Sequence, residues 1–283
     1  MKIAVTGANG FLGRHILNEL NAVSVNVIGT TRSIEADLPV PENGKWIKLD
    51  IAAPPENAYE LMGRPDALIH LAWEGLPNYR SQRHFEIELP RQYRFLSQLV
   101  EQGLNSMVIT GTCFEYGMQS GSLQEDMSPK PENPYGLAKD ALRHKLQSLQ
   151  QASPFNLTWT RLFYMYGEGQ AENSLWPQLK RAVEQGDPVF NMSGGEQLRD
   201  YLPVAIVAKY LVQLALNKKN NGSVNVCSGK PVKVKSLVES WVRENNWCIK
   251  LNLGHFPYPD YEPMEFWGDN RKLLSMLEPK KLL

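Results

Sequence analysis

The chain has 283 residues, of which 42% are hydrophobic, and its 30 Lys and Arg residues balance its 30 Asp and Glu residues. This length suits one or two domains with a full core, and the zero net charge excludes a global field that would attract nucleic acid or a membrane surface. The N-terminus lacks a signal-peptide pattern, no apolar run approaches the ~20 residues that span a bilayer, and three distant cysteines have no metal-ligand spacing, so we expect a cytoplasmic protein without a metal, a membrane or a nucleic-acid partner.

The first half of the chain alternates short apolar runs with helical patterns. Several of the runs are apolar throughout, which is typical of parallel strands that are covered on both faces. The predicted strands are Lys2–Thr6, Val25–Thr30, Trp46–Leu49, Ala67–Leu71, Ser106–Thr110 and Leu157–Leu162. Apolar stripes at helical spacing lie between them, at residues 12–20, 93–100 and 137–149.

After residue 163 the predicted elements become shorter, and Pro, Gly and Trp become more frequent. Helices are predicted near residues 175–185, 204–216 and 234–245, and strands near 188–192 and 223–227. Strands separated by helices indicate a doubly wound sheet. We therefore predict an α/β fold with a Rossmann domain over residues 1–163 and a smaller α/β substrate-binding lobe over residues 164–283, with elements free to interleave.

Three glycines, Gly7, Gly10 and Gly13, separate the first predicted strand from the first predicted helix. Glycine permits a tight turn and the close approach of a pyrophosphate, and the helix N-terminus offers free N–H groups. The GxxGxxG spacing is a modest signal alone, because glycine turns without ligands are common. At the first βα turn of an alternating chain, it predicts a nucleotide-binding loop.

The second predicted strand ends without the acid that would hold the ribose 2′-hydroxyl of NAD. The chain places Thr31 and Arg32 there instead, and a hydroxyl with a guanidinium suits a 2′-phosphate. The alternative is that Arg32 is a solvated loop charge. We predict NADP as the cofactor, with NAD as the alternative.

Tyr135 and Lys139, in the stretch PYGLAK, are four residues apart and share one face of a predicted helix. A nearby ammonium is expected to lower the pKa of the phenol, which would suit proton exchange with a carbonyl or an alcohol. Thr112 follows the predicted strand Ser106–Thr110, at the edge where parallel sheets bind ligands. Each residue also has a plain alternative, since the pair could be solvated and Thr112 could be a turn residue.

The motifs together resemble the extended short-chain dehydrogenase/reductase superfamily, in its nucleotide-sugar epimerase, dehydratase and reductase branch. They occur in the order seen there: TGANGFLG, HLA at 70–72, GTCFEYG at 111–117, PYGLAK, RLFYMYG at 161–167 and RDYLPV at 199–204. The resemblance covers nearly the whole chain. The members that it resembles most are dTDP-4-dehydro-6-deoxyglucose reductases and similar CDP-sugar ketoreductases.

The resemblance implies a role for each matching residue. Thr112, Tyr135 and Lys139 would be catalytic, and Lys139 would also hold the nicotinamide ribose. The remaining dinucleotide positions fall on Gly7, Gly10, Phe11, Leu12, Gly13, Asp50, Ile51, Leu71 and Ala72. Asp50 would meet the adenine amino group. Arg199 would contact the substrate diphosphate, unless it forms a salt bridge with a neighbour such as Asp200, and Ser174 would lie near the same diphosphate.

Two positions depart from the pattern of the superfamily. Tyr164 stands where an Asn is frequent, and Glu88-Leu89-Pro90 stands where an Asn often opens the helix after HLA. The substrate pocket is therefore expected to differ from those of other members of the superfamily. Asn78 and Tyr79 are candidates to shape it, and Trp73 is either a third candidate or a residue that packs under the loop.

The resemblance implies a reductase that transfers hydride from NADPH to the 4-keto carbon of a nucleotide-linked 6-deoxyhexose. A 4,6-dehydratase fits less well, because Cys113-Phe114 replaces the acidic pair of that reaction. A 4-epimerase that retains NAD is the alternative. A non-catalytic dinucleotide sensor is a second alternative, although such relatives usually lose the Tyr/Lys pair.

A homodimer is also expected. The predicted helices over residues 90–102 and 135–151 each carry an apolar stripe, and relatives pair such helices across a two-fold axis. The alternative is that the stripes only face the sheet.

Overall fold

Seven parallel strands form the central sheet in a computed structural model that describes residues 1–34 and 43–277. In chain order they are β1 (Lys2–Thr6), β2 (Asn26–Thr31), β3 (Gly44–Lys48), β4 (Ala67–His70), β5 (Ser106–Thr112), β6 (Asn156–Leu162) and β7 (Gly222–Val226). Their order across the sheet is β7-β6-β5-β4-β1-β2-β3. The order reverses at β1, so a crevice opens at the carboxyl ends of β1 and β4, where such sheets bind ligands.

Eight α-helices lie in the described residues. They are α1 (Phe11–Asn21), α2 (Ala58–Leu61), α3 (Leu89–Glu101), α4 (Pro134–Ala152), α5 (Leu175–Glu184), α6 (Val204–Asn217), α7 (Val234–Glu244) and α8 (Arg271–Met276). A π-helical turn, His84–Glu88, leads into α3, and a 3-10 turn, Cys113–Tyr116, follows β5.

Helices cover both faces of the sheet, which explains why several of its strands are apolar throughout. One core joins α1 and α6 through buried side chains such as Leu17 and Leu211. The core on the other face joins α3 and α4 through buried side chains such as Phe95 and Leu142. Each such side chain contributes roughly 1.5–3 kcal/mol on burial, so the two cores hold the sheet edge in place.

The smaller lobe has its own core between α5 and α7, which includes Leu179, Phe190, Val238 and Trp241. Short strands surround it in two-stranded pairs. The pairs are Tyr164–Tyr166 with Tyr201–Pro203, Val189–Asn191 with Lys250–Asn252, Leu198–Arg199 with Val232–Lys233, and Gly121–Leu123 with Phe266–Gly268.

Several elements that lie after residue 163 belong to the large domain rather than to the smaller lobe. β7 pairs with β6 in the large sheet, and α6 packs against α1, although both elements lie beyond residue 163. Leu273 of α8 belongs to the same core as α1. Residues 164–283 therefore build both the small lobe and one end of the large sheet.

The predicted doubly wound α/β fold is confirmed, and several of the predicted strand ends are wrong by one or two residues. β5 continues to Thr112 because it pairs with β6 along its whole length. This extension places Thr112 at the carboxyl edge of the sheet. In residues 1–34 and 43–277, no helix is long and apolar enough to cross a membrane.

Candidate active site

Two glycine positions at the turn between β1 and α1 lie too close to neighbouring backbone atoms to carry a side chain. Gly7 has a φ of +68°, and a Cβ at Gly13 would lie 2.3 Å from the Gly7 carbonyl oxygen. The Gly10 N–H donates to that same oxygen at 3.0 Å, and α1 begins at the next residue, Phe11. The glycine-rich turn brings the free N–H groups of a helix N-terminus to the crevice, which is the arrangement that binds phosphate.

A cavity of about 300 Å³, which we call the first cavity, lies at this turn. Its wall contains eight of the residues assigned to the cofactor from the sequence: Gly7, Gly10, Thr31, Arg32, Asp50, Ile51, Leu71 and Ala72. The other residues assigned to the cofactor are not in the wall, namely Phe11, Leu12, Gly13, Tyr135 and Lys139. Leu12 packs against the core below α1, and Gly13 lets the turn close, so these two residues support the loop from behind.

Charged side chains from the chain after β4 complete the wall of the first cavity. Glu74 forms an ion pair with Arg32 across the crevice, and its second oxygen accepts from Arg83 at 2.8 Å. Glu88 is 2% exposed and pairs with Arg91 at 3.4 Å. Asp50, the predicted adenine contact, has one carboxylate oxygen 2.9 Å from the Ala52 N–H.

Thr112 and Tyr135 meet at the carboxyl end of β5. The Asn133 side chain caps α4 by accepting from the Gly136 N–H at 2.8 Å, which sets Tyr135 in the first turn of the helix. The Thr112 side chain caps the 3-10 turn after β5 and lies within hydrogen-bonding reach of the Tyr135 hydroxyl. Both residues are buried. The structure thus brings the predicted pair together.

The pKa of Tyr135 is raised above its ordinary value, mainly by burial, with further contributions from Tyr79, Glu115 and Cys113. The hydrogen bond with Thr112 acts in the opposite direction and does not outweigh burial. The expected net lowering of this pKa by Lys139 is therefore wrong for this structure, because burial of the phenol dominates. A protonated phenol is suited to donate a proton rather than to accept one.

Lys139 is buried below the same site. Its ammonium donates to the Thr110 carbonyl oxygen at 2.8 Å and lies 3.9 Å from the centre of the Trp73 ring. Burial lowers the pKa of this lysine to about 7, although the carboxylates of Glu115 and Glu88 raise it. Lys139 therefore changes charge near neutral pH.

A second cavity of about 520 Å³ lies between the sheet edge and the smaller lobe. Its wall contains four of the predicted substrate residues: Asn78, Tyr79, Tyr164 and Ser174. Aromatic side chains supply much of the remaining wall, namely Tyr166, Trp176, Tyr201, Trp241 and Tyr261. Trp73, which the sequence left as either a pocket residue or a packing residue, lies in the wall of the first cavity instead and contacts Lys139.

Tyr135 contacts a wall residue of each cavity. The centre of its ring lies 5.9 Å from that of Trp73 in the first wall and 5.6 Å from that of Tyr79 in the second wall. His84 lies 5.2 Å from it and also accepts from the Trp73 indole N–H at 3.0 Å. The phenol is therefore placed between the two cavities.

Arg199 is engaged away from the wall of the second cavity. Its guanidinium pairs with Glu262 at 3.0 Å and donates to the backbone oxygens of Leu198 and Met264. The Asp200 salt bridge considered from the sequence does not form, because the Asp200 carboxylate accepts two backbone N–H groups from residues 228 and 229. Arg199 thus braces the segment that carries Glu262, which also accepts from the Tyr164 hydroxyl at 2.5 Å.

The sequence of this chain matches a known protein family over most of its length. The model of the NAD dependent epimerase/dehydratase family matches residues 3–227. The chain belongs to this family. The predicted resemblance is confirmed, and the match includes the glycine turn and the Thr112, Tyr135 and Lys139 positions.

Known relatives of this epimerase/dehydratase family member act on nucleotide sugars. It is 30% identical over 270 residues to a dTDP-6-deoxy-L-talose 4-dehydrogenase (NAD(+)) from Aggregatibacter actinomycetemcomitans, covering 95% of this chain and 99% of the relative. It is 26% identical to a GDP-6-deoxy-D-mannose reductase from Pseudomonas aeruginosa, covering 84% of this chain and 78% of the relative. The structure of MoeE5 with UDP-glucuronic acid and NAD has a TM-score of 0.82 at 26% identity, covering 98% of this chain and 92% of MoeE5.

Sequence reasoning missed two groups of wall residues in this family member. The charged residues Glu74 and Arg91 line the first cavity, and Trp176 and Trp241 line the second. The charged residues spread over positions 74–94, after the fourth strand and into the following helix, were a visible signal for the first group. In the described residues, no cluster of His, Cys, Asp and Glu could hold a metal ion.

Proposed function

We propose that this protein reduces the 4-keto group of a nucleotide-linked 6-deoxyhexose, such as a dTDP- or CDP-sugar, with NADPH. The observation that carries the proposal is the position of Tyr135, which is buried beside Thr112 and lies between the two cavities. Relatives named as 4-dehydrogenases and a reductase of 6-deoxy nucleotide sugars support this substrate class.

The residues of the first cavity fit a dinucleotide, because a glycine-rich turn at a helix N-terminus accepts a pyrophosphate. The glycine turn would hold the pyrophosphate, Asp50 and Ile51 would border the adenine, and Lys139 would hold the nicotinamide ribose. A bound reduced nicotinamide supplies the hydride for the keto carbon.

Tyr135 and Thr112 act on the keto oxygen. Tyr135 donates its proton to this oxygen, which becomes the hydroxyl of the product. The Thr112 hydroxyl holds the same oxygen and stabilises the negative charge that develops on it. The sugar end of the substrate lies against Asn78 and Tyr79, and the nucleotide end lies toward Tyr164 and Ser174.

Arg32→Ala is expected to weaken NADPH binding about 10- to 100-fold and to leave NADH binding nearly unchanged. Arg32 lies at the end of β2 in the cavity wall, and a charge-assisted hydrogen bond to a 2′-phosphate contributes roughly 1.5–3 kcal/mol. Fluorescence titration with each reduced cofactor measures both affinities. Equal losses for the two cofactors would rule out a 2′-phosphate contact.

The reductase proposal is tested with NADPH, NADH and a panel of dTDP-, CDP-, GDP- and UDP-linked 4-keto-6-deoxy sugars. We expect one of these sugars to oxidise the reduced cofactor and to yield a product with a new hydroxyl at C4, identified by NMR. No oxidation with any sugar would overturn the proposal.

A nucleotide-sugar 4-epimerase is the second candidate, favoured by a Bacillus subtilis relative described as an uncharacterized UDP-glucose epimerase, 27% identical over 298 residues. An epimerase needs no added reductant and retains NAD between turnovers. The ultraviolet spectrum of the filtrate from denatured protein distinguishes the two. A stoichiometric amount of dinucleotide favours the epimerase, and a filtrate without dinucleotide absorbance favours the reductase.

The protein is expected to be a homodimer through α3 and α4. Most of the apolar stripe on each helix packs against the sheet, as the alternative interpretation held, and Leu137 remains 42% exposed on α4. Tyr93 of α3 and Ala141 of α4 are also partly exposed. Light scattering at micromolar concentration should give twice the chain mass of 32.1 kDa, and a single-chain mass would contradict the dimer.

A further inference from the structure

The ion pair between Arg32 and Glu74 spans the crevice above the glycine turn. Arg32 follows β2 and Glu74 follows β4, and these strands flank β1 on opposite sides. Both side chains belong to the wall of the first cavity. A link between them therefore crosses the place where the chain leaves β1 for α1.

Glu74 is the carboxylate that meets Arg32. Among the described residues of this wall, Asp50 and Glu88 are the other acids, and each has a different partner. An oxygen of Asp50 accepts from the Ala52 N–H, and Glu88 lies buried beside Gln92 and Arg91. The Glu74 side chain is 36% exposed and that of Arg32 is 70% exposed, so solvent and solutes reach this pair.

Arg83 holds Glu74 from the other side, at 2.8 Å, and Arg91 lies 3.9 Å from the same oxygen. The carboxylate is thus fixed by the chain that follows β4, and Arg32 is its partner from β2. Because these two cations are on its own side of the crevice, Glu74 keeps cationic partners even without Arg32.

We propose that Glu74 is a specificity-determining residue for the cofactor, which weakens the preference for a 2′-phosphate. This inference rests on the proposed function in assigning the first cavity to a dinucleotide. A 2′-phosphate must take Arg32 from Glu74 and then sit near a fixed carboxylate, and both steps oppose its binding. A cofactor with a 2′-hydroxyl meets neither obstacle, so Glu74 narrows the gap between NADPH and NADH.

The experiment measures binding of adenosine fragments, which needs neither the nicotinamide nor a sugar. Calorimetric titrations with 2′,5′-ADP and with AMP compare wild type, Glu74→Gln, Arg32→Ala and the double variant. Glu74→Gln keeps the size of the side chain and removes its charge. We expect it to tighten 2′,5′-ADP binding about 10-fold and to change AMP binding by less than about 2-fold.

The double variant separates the two residues. In the Arg32→Ala background, the gain from Glu74→Gln on 2′,5′-ADP is expected to shrink to less than about 3-fold, because no ion pair remains to be opened. A full gain in that background would overturn the inference, and so would an equal change for AMP or no change at all. If Arg32→Ala binds 2′,5′-ADP more weakly but Glu74→Gln binds it with wild-type affinity, the proposed role of Glu74 is overturned. The role of Arg32 then stands.

Glu60→Gln is the matched control. Glu60 is also an exposed carboxylate in an arginine ion pair, with Arg64 at 2.5 Å, but it lies outside the wall of the first cavity. It should leave both fragment affinities unchanged. Thermal unfolding of each variant shows that the fold is retained. Because the titrations need no turnover, they decide on Glu74 even if every keto sugar fails as a substrate.

Discussion

Tyr135→Phe is expected to lower kcat about 10²–10⁴-fold while folding and NADPH binding survive. The substitution removes the phenol hydroxyl, which donates the proton in the proposed reaction. It keeps the ring, whose packing against Trp73, Tyr79 and His84 holds the two cavities together. The cofactor is held mainly by other groups in the proposal, so the loss should appear in kcat rather than in the affinity for NADPH.

Single-turnover and steady-state measurements on the identified keto sugar test this expectation. Tyr116→Phe is the matched control, because Tyr116 is equally buried nearby but its hydroxyl donates to Asn225 at 2.8 Å. This control should lose some stability and keep its kcat. Wild-type turnover in Tyr135→Phe would show that Tyr135 is only a packing residue and would overturn its role as the proton donor.

The raised pKa of Tyr135 also gives the pH dependence a sign. The phenol stays protonated through neutral and mildly alkaline pH, where it can donate. Reduction should therefore lose no activity through ionisation of Tyr135 until the pH is well above the ordinary phenol value of 10.0. The reverse oxidation requires the phenolate and should gain as the pH rises.

The parts of the site that depend on neighbours in the chain were predictable from the sequence. The strand Lys2–Thr6, the glycines and the start of α1 are contiguous, so composition and spacing predict the turn. Tyr135 and Lys139 share a helix that Asn133 caps, so their common face also follows from local rules.

The parts that depend on distant contacts could not be predicted in this way. Arg199 finds Glu262, which is 63 positions away, rather than its neighbour Asp200. Trp73 covers Lys139 because the chain after β4 folds over α4. Burial is the main cause of the raised pKa of Tyr135, and burial is a property of the assembled core that no local motif expresses.

Lys139→Met is expected to abolish most activity and, at the same time, to stabilise the fold. The ammonium is buried, and in the proposal it holds the nicotinamide ribose beside the reacting carbonyl. Its removal should lower kcat/KM by about 10³-fold or more and weaken NADPH binding about 10-fold. Methionine fills the same space without a charge, so the cost of burying the ammonium disappears.

The pH dependence of this stabilisation follows from the lowered pKa of Lys139, which is about 7 in the folded chain against 10.5 for the free group. Below pH 7 both the folded and the unfolded chains carry the proton, and the folded chain bears the full cost of the buried charge. Between about pH 7 and pH 10.5 the unfolded chain keeps this proton and the folded chain loses it. The folded chain then no longer contains a buried charge at Lys139. By linkage, stability of the wild type rises with pH across this window relative to the variant. The stabilising effect of methionine should therefore be largest on the acid side of neutrality and fade in alkaline buffer.

Thermal and denaturant unfolding of the cofactor-free protein on both sides of pH 7 measures this difference. We expect a gain of about 2–4 kcal/mol in the free energy of unfolding on the acid side, after the lost contacts to Thr110 and Trp73 are subtracted. Lys235→Met is the control, since Lys235 is a helical lysine that is 42% exposed and pairs with Glu239. It should change neither activity nor the pH dependence. A Lys139→Met variant that loses stability at every pH would show that the ammonium holds the site together, and a variant that keeps full activity would remove Lys139 from the mechanism.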